Sequence, residues 1–72
     1  MDWGDRHPGV AHFGPLFAFE HLPEHLRLIS QPCAVLAEDM VAHLGDGPEL
    51  SAGLRKLLEA KDCFVRAALP AT

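Results

Sequence analysis

Cysteine and positive charge are scarce in this chain, and it has few aromatic residues and no long apolar run. Several of these scarcities exclude a class of protein or of binding partner. The 72 residues include two cysteines, one tryptophan, four phenylalanines, no tyrosine, and six lysines and arginines. Two cysteines without CxxC spacing or a signal peptide predict no disulfide framework and a reducing, cytoplasmic setting. No apolar run approaches the roughly 18 residues of a membrane span, so we expect no membrane partner. A net charge of −4 argues against binding of duplex nucleic acid, because proteins bind its phosphates through many Lys and Arg contacts.

The length of the chain predicts a single domain that is stabilised by association. A chain this short buries only about 60% of its unfolded surface. Apolar residues make up 49% of the sequence, which supplies a core but leaves few elements to wrap it. We therefore expect a homo-oligomer in solution.

The few positive charges are concentrated near the C-terminus. Residues 1–49 contain eight acidic residues and two arginines, whereas residues 50–72 contain four cations and two acidic residues. The four cations are Arg55, Lys56, Lys61 and Arg66. Any small anionic ligand is therefore expected near the C-terminal helix.

Residues 1–21 are rich in glycine and proline and show no hydrophobic period, which predicts a loop or an extended arm. They nevertheless contain most of the aromatic residues, namely Trp3, Phe13, Phe17 and Phe19. Since disordered tails are seldom this aromatic, we expect at least residues 13–19 to pack on the chain's own core or on a neighbouring subunit. The sequence thus divides into an N-terminal aromatic arm, 1–21, and a helical-hairpin domain, 22–72.

A first helix is predicted from Pro23 to about Gly45, because proline suits the start of a helix and glycine its C-terminal end. Pro32 interrupts the segment, so it forms either one kinked helix or two helices that meet at Ser30-Gln31. The helical spacing predicts one buried face, comprising Leu22, Leu26, Ile29, Cys33, Leu36, Met40 and Leu44.

A second helix is predicted from Pro48 to Leu69, where Pro70 ends it. Two amphipathic helices joined by the short turn 45–48 form an antiparallel α-hairpin. The predicted fold class is therefore all-α, a helical hairpin with a kinked first helix and an extended arm, assembled into a homo-oligomeric bundle. Gly53 stands where alanine would favour the helix, which predicts a close helix crossing there.

Lys61 lies at the centre of an otherwise apolar face of the second helix. That face comprises Leu50, Leu54, Leu57, Leu58, Phe64, Val65 and Ala68. The ammonium group must extend to solvent, pair with a carboxylate such as Glu24 or Asp39, or bind an anion, because an unpaired buried charge costs several kcal/mol. A structural ion pair or an extended stem is the commoner outcome, and a ligand role stays open beside it.

The opposite side of the second helix is polar. Arg55 with Glu59 and Asp62 with Arg66 are spaced four residues apart, which predicts ion pairs on a solvated face. Arg66 is also the arginine best placed to bind a phosphate or stack on a base near the aromatic arm.

Residues that would support catalysis or metal binding are few. His21 and His25 are four residues apart and would present two metal ligands at the start of a helix. No convincing third ligand accompanies them, so ordinary surface histidines are the better interpretation. Ser30 and Ser51 stand beside helix-start signals and are interpreted as capping or turn residues. We expect no catalytic residue, no metal and no cofactor.

Two stretches of the chain resemble a known family. They are Phe19-Glu20-His21-Leu22-Pro23-Glu24-His25-Leu26 and the helix from Leu54 to Ala68, which includes Phe64-Val65-Arg66-Ala67-Ala68. With the Asp-Gly-Pro turn between them, they resemble small actinobacterial phage proteins and, through these, the helical-hairpin domain of phage anti-CBASS and Thoeris anti-defence sponges. The resemblance covers roughly residues 17–69. It implies a homo-oligomer, such as a hexamer, that sequesters cyclic di- or trinucleotide immune messengers without cleaving them, in the cytoplasm of an infected bacterium.

The resemblance also implies roles for individual residues. Phe19 matches the aromatic residue that stacks on a base just ahead of the first helix, and Arg66 matches the arginine of the terminal Val-Arg-Ala run. The phosphate-binding lysine in the middle of the family's first helix is absent, since the chain reads Pro32-Cys33-Ala34 there, and Lys61 would substitute from the other helix. The candidate ligand-binding residues are Phe17, Phe19, His21, Lys61 and Arg66.

Three classes of function remain open on the sequence. A nucleotide sponge requires a basic pocket edged by aromatic rings at a subunit interface. A small protein-binding or assembly module has no small-molecule ligand, pairs Lys61 with a carboxylate and docks its apolar arm on a partner. A metal-dependent enzyme requires His21 and His25 to converge with a third ligand.

Overall fold

The computed structural model describes residues 2–70, and all regular structure within that range is helical. Helix α1 spans Pro8–Ala11, a single 3-10 turn spans Pro15–Phe17, α2 spans Glu24–His43, and α3 spans Pro48–Ala68. The predicted all-α class is confirmed.

Proline sets the start of both long helices. Helix α2 begins directly after Pro23, and α3 has Pro48 as its first residue, as the sequence predicts. Helix α2 continues through Pro32 as one element, so the alternative of two helices that meet at Ser30-Gln31 is wrong. A bend at Pro32 stays a prediction.

The two long helices pack against each other along their length and run antiparallel. Residues of 28–33 lie beside residues of 64–68 at one end, and residues of 36–44 lie beside residues of 49–57 at the other. The intervening residues 44–47 form the turn that reverses the chain.

The N-terminal segment is part of the core, and the expectation of a loop or extended arm is wrong for α1 and for the 3-10 turn. Its buried side chains share one hydrophobic cluster with both long helices. That cluster comprises Trp3, Val10, Phe13, Phe17, Ala34, Ala37, Val41, Leu50 and Leu54. One core therefore spans both sides of the predicted division at residue 21. A four-residue helix is too short to show a hydrophobic period, which is why the sequence pattern misses it.

The buried face of α2 differs from the predicted one. Leu36, Met40 and Leu44 were expected to be buried, but they are 48%, 39% and 49% exposed. The buried residues of the helix are Leu26, Ser30, Ala34, Ala37 and Val41. Apart from Leu26 and Val41 these are small, so the aromatic rings of the N-terminal segment can approach the helix closely and supply the missing volume. The bulkier apolar residues of α2 are consequently left on the surface.

Neither of the two serines assigned to caps or turns caps a helix. Ser30 lies inside α2, where its hydroxyl is buried and has no hydrogen-bond partner within residues 2–70. Ser51 lies in α3 and donates a hydrogen bond of 2.9 Å from its Oγ to the carbonyl oxygen of Gly9. Ser51 therefore fastens α1 to α3.

A polar anchor around Arg6 ties the N-terminal segment to the end of α2. The guanidinium donates from Nη1 to the carbonyl oxygen of Val41 at 2.5 Å and from Nη2 to that of Leu44 at 2.7 Å. Its Nε donates to Oδ1 of Asp46 at 2.9 Å, and the backbone amide of His7 donates to Oδ2 at 3.2 Å. Arg6 thus satisfies carbonyl groups that the helix itself leaves without a donor.

Candidate functional site

Lys61 forms an ion pair, although not with the carboxylates expected. Its Nζ lies 3.0 Å from Oδ1 of the adjacent Asp62 and donates to the carbonyl oxygen of Leu16 at 3.1 Å. The side chain is only 13% exposed. Neither Glu24 nor Asp39 takes part in an ion pair within residues 2–70. In this conformation Lys61 links α3 to the N-terminal segment, and two of its three donor positions are occupied.

Replacing Lys61 tests whether that link is structural. We expect Lys61→Met to lower the free energy of unfolding by about 1 kcal/mol, because the carbonyl of Leu16 loses its donor. Lys56→Met is the matched control, since Lys56 is exposed on the same helix. Urea denaturation followed by circular dichroism measures both variants. Equal stability of the two would show that the contact contributes nothing and would leave the ammonium free for a ligand.

The candidate aromatic residues are placed very differently. Phe17 has no exposed surface and packs with its ring centroid 6.2 Å from that of Trp3, so no ring face is open to a base in this structure. Phe19 is half-buried and packs on the edge of the core, while His21 is exposed. Of the two candidate phenylalanines, only Phe19 is therefore partly exposed.

An ionised carboxylate stands beside Phe19. The backbone amides of Glu20 and Phe19 hydrogen-bond to the Glu20 side chain and lower its pKa, and Oε2 accepts the Phe19 bond at 3.2 Å. A phosphate close to Phe19 would meet this negative charge. The immediate surroundings of Phe19 thus disfavour an anion on that side of the ring.

Arg66 is exposed, and its Nη2 lies 3.3 Å from Sγ of Cys63. Among residues 2–70, the predicted pairs of Arg55 with Glu59 and of Asp62 with Arg66 do not form. The ion pairs within this range are those of Arg6 with Asp46 and of Lys61 with Asp62. Arg55 instead lies over the ring of Phe13, with its Cζ 6.0 Å from the ring centroid.

No group of three or more metal-ligating side chains occurs in the part of the chain that the structure describes. Three histidines bond to the backbone instead. His7 Nδ1 accepts from the amide of Gly9 at 2.9 Å, while the Nδ1 atoms of His12 and His43 lie 2.8 and 2.7 Å from the carbonyl oxygens of Pro8 and Asp39. These contacts support helix ends rather than a ligand.

His7, Asp46 and Ser51 line one depression of about 360 Å³ and are the residue types of a hydrolase triad. Each of them already has a structural partner. The Nδ1 of His7 and the Oγ of Ser51 bond to Gly9, and both carboxylate oxygens of Asp46 accept from residues 6 and 7. No hydrogen bond joins the three side chains to one another among residues 2–70, and the bonds that they form tie the N-terminal segment to the turn and to α3.

A continuous apolar surface covers the side of the helix pair that lies away from the N-terminal segment. Three depressions of about 410, 360 and 550 Å³ adjoin there. The first shares Leu36 with the second, and it shares Leu28 and Pro32 with the third. We call this surface the outer face and define it by six exposed apolar side chains, namely Leu28, Val35, Leu36, Met40, Leu44 and Phe64.

The six apolar residues of the outer face have large exposed fractions. Leu28 is 68% and Phe64 57% exposed, and the other four are between 39% and 49% exposed. No other part of residues 2–70 comes within 4 Å of the position a Cβ would take at Gly53, so the predicted close helix crossing does not occur within the chain. Large contiguous apolar patches are uncommon on monomers and mark interaction surfaces. The sequence signal for this surface is the apolar stripe over 36–44, which the hydrophobic pattern assigns to the core.

The chain matches no family model, no curated protein and no solved structure in comparisons with known proteins. The resemblance to the anti-defence sponges therefore stays a prediction. Within residues 2–70, none of the helices combines the length and the apolar character that crossing a membrane requires.

Proposed function

We propose that this chain is a small assembly module whose outer face is covered by another copy of the protein. The observation that carries the proposal is the outer face itself. Its six apolar residues are each between 39% and 68% exposed and together leave a contiguous apolar area on the surface, as interaction surfaces do. Burial of such an area is strongly favourable at about 25 cal/mol per Å² before the costs of association.

The placement of the ligand candidates favours assembly over a ligand site within one chain. Phe17 is fully buried, and Lys61 is paired with Asp62 and bonded to Leu16. The depressions of the outer face are lined mainly by apolar side chains, and their charged lining residues are Arg27, Asp39 and Glu49. A surface of this kind suits another apolar surface better than a polyanion.

Light scattering at micromolar concentration should show more than one chain per particle. Leu36→Glu should lower the particle mass toward that of one chain, because Leu36 lines two of the depressions and is exposed enough for the fold to tolerate the change. Glu59→Leu, which changes an exposed residue of α3 that lines none of these depressions, is the control and should keep the particle mass. A folded wild-type monomer at these concentrations would contradict the proposal.

A second candidate function is sequestration of a cyclic di- or trinucleotide without cleavage, in the cytoplasm of an infected bacterium. Its support is Arg66, which is exposed and whose side chain contacts only the Cys63 thiol among the hydrogen bonds and ion pairs of residues 2–70. A guanidinium so placed suits phosphate. The pocket would lie between subunits, with Phe19 from one of them, so this function requires assembly first.

A thermal-shift screen against cyclic di- and trinucleotides tests the second candidate. A stacked Phe19 contributes about 1–3 kcal/mol, so Phe19→Ala should weaken binding by roughly ten- to a hundredfold. Denaturation and chromatography should return the nucleotide intact. Hydrolysed product would indicate an enzyme. If no nucleotide is retained, the assembly module is the one remaining candidate function.

A further inference from the structure

Two opposite charges stand at the ends of the depression that lies on α2 alone. Arg27 and Asp39 both line it and are both exposed. They are twelve residues apart, or about 18 Å along a helix, too far to pair within one chain. Neither takes part in an ion pair among residues 2–70, where the two pairs are those of Arg6 and Lys61.

The residues between these charges form a stripe with its centre near residue 33. Pro32, Val35 and Leu36 occupy the middle of the stripe together with the polar side chain of Gln31. The spacing of three and four residues is the spacing of helix packing seams. A two-fold axis at this centre would reverse the stripe onto itself. Arg27 would then meet the partner's Asp39, and Asp39 would meet the partner's Arg27.

We infer that two copies of this chain pair by packing α2 against the α2 of the second copy, antiparallel, around a two-fold axis near residues 32–35. The inference rests on the proposed function and names the geometry of that association. A second copy is the indicated occupant because the stripe is complementary to itself in both charge and apolar character. The apolar centre excludes water, and the two symmetric ion pairs set direction and register.

Charge reversal tests the register directly. Arg27→Asp would place two pairs of like charges across the interface, and so would Asp39→Arg. Each variant alone should weaken the dimer by about tenfold or more in sedimentation equilibrium. An equimolar mixture of the two variants should recover the wild-type affinity, because the heterodimer contains two complementary pairs. The double variant should recover it as well.

Two matched controls make the same kinds of charge reversal on α3, away from the proposed interface. Lys56→Asp and Glu59→Arg alter exposed residues of α3 that line none of the three depressions, and their dimer affinity should stay within about twofold of the wild type. Circular dichroism should show equal helix content in all variants.

The outcomes separate the inference from the proposed function. A monomeric wild-type protein would overturn both. An oligomer whose affinity is unchanged by Arg27→Asp and Asp39→Arg, or whose two variants fail to rescue each other on mixing, would overturn the α2 pairing and leave assembly through another part of the outer face. A different protein bound at α2, with no self-association, would overturn the choice of a second copy.

Discussion

Phe17→Ala is expected to remove most of the stability of this protein. The side chain is fully buried beside Trp3 in the core cluster that both long helices share, and truncating a buried phenylalanine costs about 3–5 kcal/mol. Small domains have only about 5–15 kcal/mol in total, so the variant should be partly unfolded at room temperature. Urea denaturation at fixed protein concentration measures the loss.

Phe64→Ala is the matched control, since it removes the same side chain from a position that is 57% exposed. Its effect on the unfolding of the isolated chain should stay below about 1 kcal/mol, whereas particle mass should fall if the outer face is an interface. Similar losses in the two variants would contradict the buried position of Phe17. Loss of nucleotide binding by Phe17→Ala with the fold intact would support a direct ligand role for that ring.

Arg6→Ala is expected to lower the free energy of unfolding by about 2–3 kcal/mol. The variant loses three charge-assisted hydrogen bonds at once and leaves the carbonyl of Val41, which is partly buried, without its donor. The N-terminal segment then keeps the hydrogen bonds of Ser51 to Gly9, of the His7 amide to Asp46 and of Lys61 to Leu16, together with its apolar contacts. Thermal and urea denaturation should both show the loss.

Arg66→Ala is the control for Arg6→Ala, because Arg66 is exposed and bonds only to a thiol among the side-chain contacts of residues 2–70. It should change the free energy of unfolding by less than about 0.5 kcal/mol. Arg6→Lys should recover only part of the loss, since an ammonium group lacks the planar fork that reaches three acceptors. Full recovery by lysine would show that charge alone, without the fork, holds the segment.

Local chemistry accounts for the elements that the sequence predicts well. Pro23 and Pro48 mark helix starts because proline is favoured in the first turn, and α3 stops two residues before Pro70. These signals depend only on neighbouring residues. The positions of these helix ends can therefore be predicted without knowing how the rest of the chain folds.

The placement of Lys61 could be predicted only in part. Its position on an apolar face leaves three outcomes for the ammonium, namely solvent, a carboxylate or an anion, and in the structure it pairs with a carboxylate. The partners are an adjacent carboxylate and the carbonyl of Leu16, which is 45 residues away in the chain. No spacing rule relates residues so far apart, since their contact depends on how the N-terminal segment folds back.

The sequence by itself determined that this protein is helical, where its long helices begin, and that its apolar residues exceed what two helices can bury. Tertiary structure alone decided which side of α2 faces inward. The aromatic rings of the N-terminal segment share one core cluster with Ala34 and Ala37, so the helix turns its small residues to the core and leaves Leu36, Met40 and Leu44 outside. Hydrophobic periodicity locates an apolar stripe but not its partner, because burial depends on the volume that the rest of the chain supplies.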